Sequence, residues 1–165
     1  MDKRVRQYIG LITAVVAYYV IHEGAHLLYA LATNTFKQIN FMGMGVQIDV
    51  YAQNLSQTQL GIFCLVGSVA TLIAAGVLLA CMPWICRASS KVFKACAYYT
   101  TLAVLLLDPL YLSLLCGFFG GGDMNGIGLL VPEVAARVIY GVILAVNLLL
   151  ILKVVLPKYK EAFAQ

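Results

Sequence analysis

Charged residues are scarce in this chain. Of its 165 residues, 11% are charged and 62% are hydrophobic, whereas a typical soluble domain has about 25% charged residues. So low a charged fraction excludes an ordinary soluble globular domain. The net charge of +4 does not indicate nucleic-acid binding, because the basic residues cluster at the ends of apolar segments, as membrane topology requires. The sequence therefore predicts an integral membrane protein, and its length suits a single domain over residues 1–165.

Proline is rare as well, with four in the chain, and the apolar segments between polar stretches are long. About 20 apolar residues suffice for a helix to cross the hydrocarbon core of a bilayer. We expect Pro83 to help end the second helix and Pro109 to kink or break the third. The fold class predicted is an all-α polytopic membrane protein with four transmembrane helices, at about 8–31, 60–82, 92–117 and 134–156.

The segment at about 36–51 differs from the rest, because its apolar residues alternate with polar ones around Gly43-Met44-Gly45. A period of two is typical of strands, and the glycines are typical of a turn between them. We therefore expect a small β-hairpin after the first helix, with an irregular loop as the alternative. The free edge of such a hairpin, which includes Ile48, can bind an extended peptide by strand addition.

Few residues of metal-binding types are spaced so that they can hold an ion. The five cysteines lack such spacing, and we expect reduced thiols that pack in the core. The two histidines of the chain both lie in His22-Glu23-Gly24-Ala25-His26, and residues i and i+4 of a helix share a face. His22 and His26 can therefore bind one Zn²⁺, with Glu23 close enough to activate a water. The alternative is that the three side chains only satisfy one another inside a helix bundle.

Two aspartates compete for the position of a third metal ligand. Asp108 lies in the third apolar segment, and Asp123 lies in a run with five glycines in ten residues, 117–126. Glycines let the backbone approach a metal closely and present a carboxylate without helical constraint. We therefore expect Asp123 to be the third ligand, and Asp108 to be satisfied by a bound proton or a neighbouring hydroxyl.

The basic residues are unevenly distributed between the two sides of the predicted bundle. Lys37 and Arg137 lie on one side, and all the others lie on the opposite side: Lys3, Arg4, Arg6, Arg87, Lys91, Lys94, Lys153, Lys158 and Lys160. The positive-inside rule then predicts that both termini are cytoplasmic. In that orientation the histidines lie in the outer half of the first span, and Asp123 emerges on the same side.

These residues together resemble the site-2 protease family of intramembrane zinc metalloproteases. The resemblance covers about Tyr8 to Gly126 and includes the histidine motif in a spanning helix and the hairpin that follows it. Two further motifs are degenerate. Where the family has Gly-Pro-x-x-Asn, this chain has Ser68 in place of proline and Thr71 in place of asparagine. Where the family has Leu-Asp-Gly, it has Asp123-Met124-Asn125-Gly126.

The resemblance implies a minimal intramembrane zinc endopeptidase with Zn²⁺ as its cofactor. Its catalytic base would be Glu23, its metal ligands His22, His26 and Asp123, and its supporting polar groups Asn125, Ser68 and Thr71. The partners expected are the lipid bilayer and a membrane-embedded protein or peptide substrate, without nucleic acid. The expected location is a bacterial plasma membrane, which the chain crosses several times. Two alternatives are a catalytically silent membrane adaptor with the same fold and a small metal-ion transporter.

Overall fold

The computed structural model describes residues 2–42 and 45–164. In that part of the chain, four helical stretches are long and apolar enough to cross a membrane. Large apolar side chains such as Ile12, Val20 and Val142 remain exposed on their outer faces, as lipid-facing residues do. The predicted fold class is thereby confirmed. The four stretches are Lys3–Ala32, Gln57–Arg87, Lys91–Phe118 and Glu133–Ala164.

The first helix, α1, spans Lys3–Ala32 and leads within four residues into the predicted hairpin. Strand β1 (Phe36–Met42) pairs antiparallel with strand β2 (Gly45–Val50), with Ile39 opposite Ile48. The hairpin prediction is confirmed, although the tip expected at Gly43-Met44 lies outside the described residues. A two-stranded hairpin needs cover to be stable, and the buried Ile48 side chain packs with Ala30 and Phe63 to provide it.

Helix α2 spans Gln57–Arg87 and begins with a capping box, in which Ser56 and Gln59 each accept a hydrogen bond from the other's backbone N–H. The prediction that it ends near Pro83 is wrong, because the helix continues to Arg87. An interior proline removes one backbone hydrogen bond and strains the preceding turn. Here Met82 and Ile85 are buried in the main apolar cluster, and this packing holds the last turn in helical form.

Helix α3 spans Lys91–Leu110 and continues, past Pro109, as a π-helix over Tyr111–Leu115 and a 3₁₀ turn to Phe118. Pro109 changes the hydrogen-bond pattern without breaking the helix. A proline leaves the carbonyl four residues earlier without its N–H donor. That carbonyl belongs to Leu105, and the buried Asn147 side chain donates to it at 2.7 Å. A neighbouring helix thus supplies the bond that proline removes, as membrane helices require.

The glycine-rich segment after α3 makes a tight turn and then a short helix, α4, over Asp123–Ile127. Gly120, Gly121 and Gly122 all have positive φ angles, which non-glycine residues rarely adopt. The expectation that Asp123 lies in a loop free of helical constraint is wrong, because it is the first residue of α4. The left-handed glycines reverse the chain, and helical geometry then fixes the direction of the carboxylate.

The fourth apolar stretch forms α5 (Glu133–Leu150) and, through a π-helical turn at Ile151–Val155, α6 (Leu156–Ala164). It therefore extends beyond the predicted end near residue 156. Helices α1, α2 and α3 pack against one another, α5 packs against α3, and α4 lies beside α2. The candidate site forms where α1, α2, α3 and α4 meet. All five cysteines are free thiols, as predicted.

Candidate metal centre

Three potential ligand atoms converge between α1 and α4. His22 and His26 lie one turn apart on α1, and their Nε2 atoms are 3.1 Å from each other. Asp123 Oδ2, at the start of α4, lies 3.1 Å from His22 Nε2 and 3.4 Å from His26 Nε2. The structure thus brings together the two histidines and the aspartate that the sequence predicts as ligands.

The other ring nitrogen, Nδ1, of each histidine faces an acceptor of its own, so in a neutral ring the hydrogen lies on Nδ1. His26 Nδ1 lies 2.7 Å from the carbonyl oxygen of Phe63. A carbonyl oxygen only accepts, so Nδ1 carries the hydrogen and the Nε2 lone pair faces the centre. His22 Nδ1 lies 3.2 Å and 3.3 Å from the two oxygens of Asp108, which orients the second ring in the same way. Three acceptor atoms therefore face one point, an arrangement that is stable only around a cation or a shared proton.

The spacing of the three atoms fits a tetrahedral cation. Ligands about 2.0–2.1 Å from Zn²⁺ lie about 3.3 Å from one another in a tetrahedron. The three separations here, 3.1, 3.1 and 3.4 Å, match that edge. Two imidazoles and one carboxylate are also a ligand set typical of catalytic zinc, which leaves the fourth position to water or substrate. The residues therefore fit such an ion both by geometry and by chemistry.

Gly67 on α2 keeps the space at the centre open. A Cβ added at this residue would lie 2.5 Å from His26 Nε2 and 2.7 Å from His22 Nε2, which is closer than real contacts allow. Gly24, inside the histidine motif itself, would meet nothing within 4 Å. The glycine on which the site depends is thus the one on the facing helix, where the backbone of α2 forms a wall of the centre.

Asp108 lies on the far side of His22 from the three converging atoms. It is 2% exposed, and its carboxylate accepts hydrogen bonds of 2.5 Å from both Tyr18 Oη and Thr71 Oγ1. With His22 Nδ1–H it has three donors. A carboxylate behind a metal-binding histidine fixes the tautomer and orientation of the ring. The expectation that a neighbouring hydroxyl satisfies Asp108 agrees with these contacts, and two hydroxyls do so.

Glu23 lines a cleft of about 270 Å³ together with His26, Asp123, Tyr111 and residues 45–48 of β2. Its Oε2 accepts a hydrogen bond of 3.1 Å from the backbone N–H of Ile48. This N–H points away from β1, so one donor on the free edge of the hairpin is already directed at the glutamate. Glu23, the expected catalytic base, and the free edge of β2, the expected peptide-binding strand, therefore meet in one cleft.

Among the charged residues of this cluster, Asp123 is the one that lies outside the membrane-spanning stretches, in the segment between the third and the fourth. Burial alone would raise the pKa of its carboxyl. When His22 and His26 are protonated and donate to it through Nε2, their hydrogen bonds and positive charge outweigh burial and lower this pKa to about 2. The carboxylate is consequently ionised at neutral pH, which is the form that binds a cation.

The remaining predicted residues lie at different distances from the centre. Thr71 supports Asp108, as described, and Ile48 contacts Glu23. Ser68 Oγ donates to the carbonyl of Leu65 and lies 2.5 Å from Tyr140 Oη, so its contacts tie α2 to α5. Asn125 is exposed and donates to the carbonyl of Gly120, so it stabilises the glycine turn before α4. The structure thus associates Thr71 and Ile48 with the site and gives Ser68 and Asn125 structural contacts.

Sequence reasoning missed three contributors to the site. Tyr18 precedes His22 by four residues, so the same i, i+4 spacing that singled out the histidines also indicates it. Tyr111 and the Phe63 carbonyl offer no comparable signal, because their roles depend on how the extension of α3 and helix α2 pack against α1. Gly67 matches the glycine of the family's Gly-Pro-x-x-Asn motif, but its place as a wall of the centre follows only from the packing.

No protein-family model, no curated protein and no solved structure matches this chain. The resemblance to site-2 proteases therefore depends on the motifs alone. Because a fold by itself does not specify a function, the function has to follow from the geometry and chemistry of the site.

Proposed function

We propose that this chain is a zinc-dependent endopeptidase that cleaves a membrane-associated peptide or protein within or near the bilayer. One observation carries the proposal: three potential metal-ligand atoms converge, and two of the residues that supply them, His26 and Asp123, line the same small cleft as Glu23. A structural cluster of polar residues would have no need of a carboxylate on the open side of the centre. The four apolar helices support a substrate that lies in or beside the membrane.

His22, His26 and Asp123 would hold the metal. Asp108 and the Phe63 carbonyl, bound to the two Nδ1–H groups, would keep both imidazoles neutral with their Nε2 lone pairs toward it. The chemistry that zinc supplies when bound is Lewis acidity toward a carbonyl oxygen and a lowered pKa of water.

Glu23 is the group that moves protons in this proposal. Its carboxylate takes a proton from the water that attacks the scissile carbonyl, and the water oxygen becomes part of the new carboxyl group. When the C–N bond breaks, Glu23 returns the proton to the leaving amine nitrogen. The carboxylate thus ends each cycle ionised, and the overall change is hydrolysis of one peptide bond.

The outer edge of β2 is the part of the cleft that suits an extended substrate. A transmembrane helix already uses its own amides in hydrogen bonds, so it must unwind locally before a protease can cleave it. Strand addition along residues 45–48 would give the unwound backbone new partners. A peptide that pairs with this edge would also compete with Glu23 for the N–H of Ile48, and so free the carboxylate for proton transfer.

The same proposal includes an orientation. The basic residues at the ends of the spans favour cytoplasmic termini, and the location proposed is a bacterial plasma membrane. The cleft would then open in the outer half of the bilayer, because Glu23 and His26 lie past the middle of α1 and Asp123 follows the far end of α3.

The proposal is tested by Glu23→Gln, with Glu133→Gln as a matched control. Glu133 is an exposed glutamate paired with Arg137, and it is not one of the residues that line the cleft. General acid–base catalysis accelerates a reaction about 10²–10⁴-fold, so Glu23→Gln should abolish detectable cleavage. The bound zinc should remain at about one ion per chain. The control should retain both.

Because the substrate is to be identified, cleavage is read by proteomics of membrane fractions from cells that carry each variant. A single-span protein should accumulate in uncut form with Glu23→Gln, and it should be processed with wild type and Glu133→Gln. Membrane proteomes that do not differ between the two variants would contradict the protease. They would favour an adaptor or a metal transporter, neither of which needs a base.

A further inference from the structure

A second cavity opens at the opposite end of the bundle, between the start of α1, the start of α3 and α6. Its volume is about 740 Å³, which is within the range of about 300–1,000 Å³ typical of small-molecule sites. Arg6, at its edge, precedes His22 by 16 residues on one helix, or about 24 Å at 1.5 Å per residue. This cavity is therefore separate from the candidate metal centre.

Three cationic side chains line the cavity: Lys3 and Arg6 from α1 and Lys160 from α6. Within residues 2–42 and 45–164, no carboxylate lies within ion-pair distance of any of them, whereas Arg137 at the other end is paired with Glu133 at 2.7 Å. Asp2, the N-cap residue before α1, accepts a hydrogen bond from the backbone N–H of Arg4. The cavity thus concentrates positive charge that the described part of the chain does not neutralise.

The wall of the cavity is largely aromatic and apolar. Tyr98 and Tyr99 of α3 face Leu156 and Phe163 of α6 across it. The Arg6 guanidinium lies 5.7 Å from the centre of the Phe163 ring, within the range of a cation–π contact. Tyrosine rings beside cationic groups at the ends of spanning helices are typical of the membrane–water interface.

Buried Lys94 gives this end of the bundle a fixed geometry. Its Nζ donates at 2.5 Å to the carbonyl of Ala162, which ties α3 to α6 beneath the cavity. It also lies 6.0 Å from the Phe163 ring. The two helices that carry the aromatic wall are therefore held together by a buried ammonium group, so the cavity is a feature of the packed fold.

We propose that this cavity binds the headgroup of an anionic phospholipid, with the phosphate among Lys3, Arg6 and Lys160 and the first part of an acyl chain along the aromatic wall. Basic pockets between spanning helices are the kind of site that binds such headgroups. A zwitterionic lipid offers no net charge to three cations that have no carboxylate partner among the described residues, and a soluble anion makes no use of the apolar wall. The proposal is independent of the proposed protease activity.

The test compares lipid retention by purified protein in detergent, measured by native mass spectrometry. Phosphatidylglycerol and phosphatidylcholine with identical acyl chains are the two probes. Each basic residue near an anionic partner strengthens binding about fivefold. The double variant Arg6→Gln/Lys160→Gln should therefore bind phosphatidylglycerol about 25-fold more weakly than wild type. Phosphatidylcholine should bind weakly to every variant.

Two controls make the result specific. Lys37→Gln/Lys153→Gln removes the same charge from exposed residues that do not line the cavity, and it should retain phosphatidylglycerol like wild type. Arg6→Lys/Lys160→Arg keeps the charge and should also bind, which excludes misfolding as the cause of a loss. Three results would each overturn the proposal. They are equal weakening of phosphatidylglycerol binding in the two double glutamine variants, equal binding of the two lipids, and displacement of the lipid by millimolar inorganic phosphate.

Discussion

Two aspartates flank His22, and their surroundings differ in one decisive respect. Asp108, inside α3, is 2% exposed and has three donors: Tyr18, Thr71 and His22 Nδ1–H. The side chain of Asp123, at the start of α4, is 24% exposed and faces the Nε2 lone pairs of His22 and His26. Donors from the protein therefore satisfy the carboxylate of Asp108, whereas the carboxylate of Asp123 faces two nitrogen atoms that are themselves acceptors.

This difference separates a supporting residue from a proposed metal ligand better than the depth of the residue or its sequence motif does. Both acids lie in apolar surroundings, where an ionised group is costly unless it has partners. Protein hydroxyls and an imidazole stabilise Asp108, so it needs nothing from outside the chain. Asp123 lacks such donors once the histidines are neutral, and in the proposed site a bound cation would be its partner.

The most direct test of the difference between the two aspartates is to remove each carboxylate in turn. Asp123→Ala should leave almost no bound zinc and no cleavage, because the ion loses one of three protein ligands. Asp108→Asn should keep close to one zinc per chain, with affinity lowered by about 10–100-fold, as is typical when a group behind a ligand is altered. Metal analysis of the purified variants at saturating and limiting zinc distinguishes the two. If Asp108→Asn lost its zinc and Asp123→Ala kept it, the roles would be reversed.

A second prediction concerns the wall of the centre. Gly67→Ala should prevent zinc binding nearly as completely as loss of a ligand, because the new methyl group would lie 2.5 Å from His26 Nε2. The matched control is Gly76→Ala on the same helix, where an added Cβ meets nothing within 4 Å.

Metal content and thermal stability are measured for both alanine variants. The control should hold zinc as wild type does and should be slightly stabilised, since alanine favours a helix over glycine. Full zinc content in Gly67→Ala would show that the two helices can separate, and that α2 does not form the wall of the centre.

The parts of the site that the sequence predicts are those that local spacing determines. His22 and His26 are one helical turn apart, and the positive-φ glycines before Asp123 reverse the chain, so that the proposed third ligand comes from that segment. Four apolar stretches and an alternating segment of period two also predict the helices and the hairpin directly. Such features need no knowledge of how distant elements pack.

The parts that the sequence could not predict depend on tertiary contacts. Pro109 leaves α3 unbroken because Asn147, 38 residues later in the chain, donates to the carbonyl that the proline frees. Pro83 lies inside α2 because residues on both sides of it are buried. The role of Gly67 arises from the packing of α2 on α1. None of these partners is close in sequence, so no local pattern reveals them.

The smallest effect is expected for the hydroxyl groups that hold Asp108. Tyr18→Phe removes a 2.5 Å hydrogen bond to its carboxylate and leaves the ring, which stacks on His22. Thr71 and His22 still donate, so Asp108 keeps its position and zinc affinity should fall only a few-fold, below the about 10–100-fold expected for Asp108→Asn. Tyr19→Phe is the matched control, because this neighbouring ring contacts Tyr18 in an edge-on arrangement, and it should change nothing.

A double variant then tests whether Tyr18 acts through Asp108. If it does, Tyr18→Phe should weaken zinc binding in the native background and have almost no further effect in the Asp108→Asn background, because residues of one network are not additive. Zinc affinity is measured for the four proteins of this cycle by competition with a chelator. Additive losses would mean that the Tyr18 hydroxyl acts on the centre by a route other than Asp108. In that case Asp108 would not be the only residue that supports His22 from this side, and a further polar group would have to connect Tyr18 to the centre.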